Sequence, residues 1–203
     1  MNIPHEWQTV LAAIQTRFPG AIIGGGALRD TLLDREVKDV DIFIQMPDDL
    51  TDAELCDVLS KLTGQHFERS LPERVVNYVF GSGSDVACVC DGGLFQVIAT
   101  WTPTDPTTAM MRFDFGICRI IYDGINLIRS ADFDKDVEDK TFTLLRCNSV
   151  QELARSMERW TRLKEKYDAY RLVILEETNR LYGPVYDPGF FTVVSEVDDD
   201  FLL

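Results

Sequence analysis

Apolar residues recur at helical spacing in HEWQTVLAAIQTRF, residues 5 to 18, where Trp7, Val10, Leu11, Ile14 and Phe18 share one side and Pro19-Gly20 ends the run. The AII that follows predicts a short buried strand. Beyond a cluster of glycines, ALRDTLL predicts a helix of about two turns, DREVK a turn, and VDIFI a strand closed by Pro47. LTDAELCDVLSKLTG predicts a helix running from near Thr51 to Gly64.

The period then shortens. RVVNYVF, SDVACVC and LFQVIATW, separated by GSG and DGG, predict a meander of antiparallel strands. Asp105-Pro106 predicts a helix start for TTAMM, because aspartate can cap the helix and proline is tolerated at its first position. FGICRIIY returns to strand. Ser149 and Glu152 form an S-x-x-E capping box ahead of a long helix to about Tyr167. The closing GPVYDPGFFTVVSEVDDDFLL mixes turn residues with acids and predicts a loosely held tail. No repeat or clear linker divides the chain, so the pattern is α+β with a helical carboxy-terminal extension.

Composition narrows the chemistry. With 203 residues, 45% of them hydrophobic, the chain can build a sizeable core. Its formal charge of -14 repels polyanions over most of the surface, so a nucleic acid must meet a local basic patch. Five cysteines, without a CxxC and set in apolar runs, read as reduced thiols packed as small hydrophobes, which predicts a reducing cytoplasm. No window approaches eighteen apolar residues, and MNIPHEWQTV lacks a basic start to an apolar core, so no membrane partner is expected. His5 and His66 have no metal-ligand spacing.

The chemistry concentrates in GGGALRDTLLDREVKDVDIFI, residues 24 to 44. In a strand, residues i and i+2 leave the same face, so Asp39 and Asp41 project together while Val40 and Ile42 face the core. Two such carboxylates repel, and a divalent cation such as Mg2+ relieves the repulsion. Upstream, a strand, a glycine turn and a helix start are suited to a phosphate. The segment is neither a dinucleotide fingerprint, which needs glycine at Arg29, nor a P-loop, which needs G-K-[ST].

These residues resemble a known signature. GGALRDTLLDREVKDVDI is similar to GGxVRDxLLxxxxxDxD of the class II CCA-adding enzyme and poly(A) polymerase group, in the polymerase β nucleotidyltransferase superfamily: Gly25, Gly26, Arg29, Asp30, Leu32, Leu33, Asp39 and Asp41 match in order and spacing. DFGICRIIYD, residues 114 to 123, resembles the family's DFTINALAYD, with Arg112 just ahead and Cys118 in place of asparagine. Gln151 to Arg155 resembles, faintly, the base-reading E-D-x-x-R helix. Independently of the resemblance, Arg155, Arg159, Arg162 and Lys166 recur on one helix face. That row reads either as a solvated face paired with Glu158 and Glu165 or as a seat for a triphosphate or RNA end.

The resemblance implies a nucleotidyltransferase fold, a mixed and mostly antiparallel sheet flanked by helices. It implies a catalytic-type domain over 1–146, with the helical extension and acidic tail over 147–203. It also implies transfer of a nucleoside monophosphate from an NTP to an acceptor hydroxyl, with two Mg2+ ions on Asp39 and Asp41. Gly25, Gly26, Arg29, Lys38, Arg112, Asp114, Arg155, Arg159 and Arg162 are the expected nucleotide contacts. The acceptor is expected to be a tRNA or other RNA 3′ end, a protein side chain or a small molecule. Gln96 stands where the superfamily carries a third carboxylate; either Asp85, Asp91 or Asp114 substitutes for it, or a catalytically silent binding or regulatory protein is the alternative.

Overall fold

The computed structural model describes residues 3–70, 85–175 and 191–194. The chain divides into two compact units: 1–113 with 118–130, and 114–117 with 131–203.

In the first unit, α1 (His5–Gln15) buries Trp7, Val10, Leu11 and Ile14, the stripe that its spacing predicts. β1 (Ile22–Gly24) leads through Gly25 into α2 (Gly26–Leu32), and β2 (Val40–Gln45) follows. α3 (Asp52–Thr63) is held at both ends: Thr51 Oγ1 accepts from the Glu54 amide, the Glu54 carboxylate accepts from the Thr51 amide, and Gly64 closes the helix at φ 71°. β3 (Glu68–Arg69), β4 (Val86–Gly92) and β5 (Phe95–Thr100) come next. Asp105 caps α4 (Pro106–Met110) through the Thr108 amide, as the Asp-Pro pair predicts. β6 (Ile120–Tyr122) and β7 (Leu127–Arg129) end the unit. The expected strand RVVNYVF and the GSG turn lie outside the described residues.

These strands form one sheet in the order β3-β4-β5-β2-β1-β6-β7. Every pairing is antiparallel except β2 with β5, which run parallel. The hairpin of β4 and β5 agrees with the meander expectation. Its docking against β2 adds a long-range parallel pairing, which alternation within each strand does not encode. Val40, Ile42, Ile44 and Val97 are fully buried and form the middle of the core.

FGICRIIY is a strand only at its end. Gly116–Cys118 is a single 3-10 turn, and only Ile120–Tyr122 is extended. The reason lies in the second unit, where the Asp114 carbonyl accepts from the amides of Leu145 and Arg146, and the Ile117 amide donates to Asp136. These bonds pull the start of the segment out of the extended course.

The second unit contains α5 (Ala131–Asp139), β8 (Thr141–Leu144), α6 (Val150–Lys166), β9 (Arg171–Leu175) and β10 (Phe191–Val194). The expected long helix is α6. Ser149 caps it through the Glu152 amide, while the Glu152 carboxylate reaches one residue further back, to the Asn148 amide. A parallel three-stranded sheet, β10-β9-β8, accompanies the helix. Of the expected tail, only β10 lies within the described residues. Phe142 is the centre of the packing, with Phe115, Trp160, Tyr167 and Tyr170 ringed around it at centroid distances of 5.2 to 5.7 Å. No helix among the described residues is long and apolar enough to cross a membrane.

Buried Asp136 joins three pieces of this unit. Its carboxylate accepts from the Thr141 hydroxyl at 2.6 Å, from the Thr143 amide at 3.0 Å and from the Ile117 amide at 2.8 Å, and the Thr143 hydroxyl also bonds it. Gly116 makes room, since a Cβ there would stand 2.7 Å from Asp136 Oδ2. Burial pushes the Asp136 carboxyl above the ordinary carboxylate range, against the pull of those hydrogen bonds.

Asp136→Asn places an NH2 against donors and is expected to cost about 1–3 kcal/mol in urea unfolding. A raised carboxyl pKa also fixes the sign of the pH effect. The contribution of Asp136 is largest below its unfolded pKa and falls as pH rises through its folded value, and this component of the fall is absent in the variant.

Candidate active site

The site is built on β2. Val40 and Ile42 are fully buried while Asp39 and Asp41, alternating with them, are partly exposed. This is the alternation expected of two carboxylates leaving the same side of an extended segment. Val40 is anchored by its amide, which donates to the Leu94 carbonyl at 2.8 Å. Lys38 is almost fully exposed, with its Nζ 4.0 Å from Asp39 Oδ2, a loose surface pair.

Register places the neighbours of Asp41. β1 pairs with β2 through Ile22↔Phe43 and Ile23↔Ile42, and one more step of that antiparallel register brings Gly24 opposite Asp41. On the other side, β5 places Gln96 directly beside Asp41, and β4 places Asp91 beside Gln96. The row therefore runs Gly24, Asp41, Gln96, Asp91. Strand spacing separates Asp91 from Asp41 by about 9.5 Å. Its carboxylate also turns into the hairpin, accepting from the Gly93 amide at 2.9 Å. Asp91 is thus poorly placed to share a cation with Asp41, and Gln96 is the residue in register beside Asp41.

The glycine turn is shaped from within. Gly25 has φ 79°, and a Cβ there would stand 2.9 Å from the Phe113 ring; at Gly24 the same ring would be 3.0 Å away. Phe113 also packs edge-on against Phe43, at 5.7 Å between centroids. The Gly25 amide donates to the Ile120 carbonyl at 2.9 Å. The next amides, from Gly26 onward, are those a helix start leaves without an intrahelical acceptor.

Arg29 is buried in the same unit. Its Nε donates to Asp30 Oδ1 at 2.7 Å, its Nη2 lies 2.6 Å from the same oxygen, and its Nη1 donates to Cys118 Sγ at 3.1 Å. The guanidinium flanks the start of α2, 3.6 Å from where a Gly26 Cβ would be. Arg112 bonds Thr102 and pairs with Asp85 at 2.8 Å. Both arginines are thus engaged by carboxylates of their own unit. The apolar spacing of the motif gave no sign of the Arg29-Asp30 pair or of the Phe113 lid over the glycines.

Within the second unit, Asp114 accepts from Ser156 Oγ at 2.9 Å and from Arg159 Nη1 at 2.8 Å. The hydrogen bonds tie α6 to the start of the DFGIC segment. Arg159 is therefore turned toward Asp114, while Arg155 donates through Nε to the Gln151 carbonyl and Arg162 is exposed. Among the described residues, no group of three or more His, Cys, Asp or Glu side chains is arranged to hold a metal ion.

Against known proteins, residues 5–140 match the model of the Gabija anti-defense 2 family protein. The chain belongs to the Gabija anti-defense 2 family. No curated protein matches this family member. Several solved structures do. A tRNA-processing enzyme in an apo form is 22% identical with a TM-score of 0.56, covering 90% of this chain and 47% of its own. The Thermotoga maritima CCA-adding enzyme complexed with tRNA is 18% identical, TM-score 0.54, over 87% of this chain and 40% of its own. The Bacillus stearothermophilus CCA-adding enzyme in complex with CTP is 19% identical, TM-score 0.54, over 89% and 43%. The chain thus spans less than half the length of these structures, and it shares their fold.

Gly25→Ala introduces a Cβ both at a positive φ and against Phe113, so it is expected to cost about 1–3 kcal/mol in equilibrium unfolding. Adding Phe113→Leu relieves the contact but not the φ strain, and recovers only part of that loss.

Proposed function

We propose that this anti-defense protein is a nucleotidyltransferase that moves a nucleoside monophosphate from an NTP to an acceptor hydroxyl and releases pyrophosphate. The observation that carries the reading is the row on the sheet, where the glycine turn, Asp41 and Gln96 stand side by side with Asp39 two residues before Asp41. Asp39 and Asp41 are the residues that would hold Mg2+, and their donor set fits a cation that keeps water and phosphate oxygens as its other ligands. The cation would neutralise the triphosphate and draw density from the acceptor hydroxyl.

The remaining work belongs to the chain itself. Phe113 and the positive φ of Gly25 fix the turn, so the amides from Gly26 onward meet the phosphates without rearranging. Asp39 and Asp41, by holding that cation, would set where the triphosphate lies beside this turn. The acceptor hydroxyl gives its proton to water, its oxygen attacks the α-phosphorus as the bond to pyrophosphate breaks, and positioning supplies the rate. Arg155, Arg162 and Lys166 on α6 are proposed phosphate contacts for an RNA acceptor. The Asp114-Arg159 pair would orient their helix. We propose that this transfer serves the anti-defense role for which the family is named.

A second reading, nucleotide binding without turnover, is favoured by one observation. Gln96, a neutral amide, lies in register with Asp41 at the place where another carboxylate would complete the cation site.

Incubation with each labelled NTP and Mg2+ separates the two readings. Transfer predicts label incorporation with pyrophosphate release, reduced at least about a hundredfold in Asp39→Ala/Asp41→Ala. Gln96→Glu is then expected to tighten Mg2+ about tenfold, read as a lower half-saturating concentration. Nucleotide retention with neither product supports the silent reading. An RNA acceptor adds a steep loss of binding with salt that flattens in Arg162→Ala, whereas a protein or small-molecule acceptor leaves binding nearly indifferent to salt.

A further inference from the structure

Away from the nucleotide row, sulfur is gathered on the opposite face of the same sheet. Cys56 of α3 and Cys88 and Cys90 of β4 are all buried and all carry free thiols. Cys56 Sγ and Cys90 Sγ stand 2.6 Å apart. A covalent S–S bond is about 2.04 Å long, so little movement is needed to form one.

Both backbones are held firmly. α3 is locked by the Thr51-Glu54 box and by Gly64, while Cys90 lies within a paired strand between Arg69 and Val97. The hydrogen bond between Cys56 Sγ and Cys90 Sγ holds the Cys56 thiol below its ordinary range, against burial and the charges of Asp52 and Asp57. Cys56 is 5% exposed while Cys90 is fully buried, so Cys56 is the sulfur that an oxidant reaches first.

We propose that Cys56 and Cys90 form an oxidative cross-link site, closing to a disulfide between α3 and β4 on exposure to a two-electron oxidant of the peroxide class. The Cys56 thiolate attacks one peroxide oxygen, the O–O bond breaks, and the departing hydroxide takes up a proton to leave as water. Cys90 sulfur then attacks the Cys56 sulfenic acid, the S–O bond breaks, and a second water carries away the hydroxyl with the Cys90 proton. In total, two thiols lose two electrons and two protons, and one peroxide becomes two waters. Cys88 leaves the same face of β4 and its thiol also lies against Cys90, but the 2.6 Å approach is between Cys56 and Cys90, so Cys88 is expected to stay reduced. The bridge closes a loop between residues 34 positions apart.

The test uses the full chain treated with one equivalent of hydrogen peroxide, then quenched, denatured and titrated for thiols. Free thiols are expected to fall by two from the five of the sequence. The intact mass is expected to drop by about 2 Da, with a non-reduced peptide pair carrying Cys56 and Cys90. Tm is expected to rise by about 5–10 °C and to return after dithiothreitol. Cys147→Ser repeats this result, while Cys56→Ser or Cys90→Ser forms no linked pair. Persistence of all the thiols, oxygen addition to a single cysteine without bridging, or a pair containing Cys88 overturns the proposal. Should the Cys56 or Cys90 variant fail to fold, the wild-type peptide map decides alone.

Discussion

Everything in the first unit depends on which side of β2 faces the core. Val40 and Ile42 are fully buried, and Ile44 continues the same face. A slip of one residue against β1 or β5 would carry all three into solvent and drive Asp39 and Asp41 into the core. Burying even one unpaired carboxylate costs several kcal/mol, so the register is held from both faces at once. The carboxylates need not attract anything for their direction to be set. Hydrophobic burial has already done so, and the same register brings the glycine turn to one side of Asp41 and Gln96 to the other.

Within each unit, arginine charge is largely satisfied internally. In the first, Arg29 is joined to Asp30 and Cys118, and Arg112 to Asp85; in the second, Arg159 is joined to Asp114. A cation so placed contributes first to holding its element, and its field reaches a bound phosphate reduced by its partner carboxylate. On the proposed reading, the phosphate seat therefore relies chiefly on backbone amides and on the cation shared by Asp39 and Asp41.

Much of this was legible in the sequence because it is local. Thr51, Gly64, and Asp105 with Pro106 announce helix ends through chemistry contained within a few residues, and the structure realises each. The apolar stripe of α1 and the alternation in β2 are equally local. The motif carried the fold further than periodicity could, since its glycines and aspartates identify a strand, turn, helix and strand in order. What stayed hidden depends on distant partners. FGICRIIY is apolar enough for a strand, yet Asp136 and the amides of Leu145 and Arg146 recruit its beginning into a turn. TFTL and RLVIL are short apolar runs whose parallel pairing shows only once the chain is folded. Nothing in the sequence around Arg29 tells that Asp30 turns back to meet it.

The claim at the centre is that the carboxylates of β2 and the glycine turn together hold a nucleotide through a divalent cation. Isothermal titration of the full chain with each NTP, in magnesium and again in EDTA, addresses it without requiring an acceptor or turnover. The account predicts saturable heat for at least one NTP in magnesium and its loss in EDTA. No saturable uptake of any NTP, or uptake unchanged by EDTA, would contradict it.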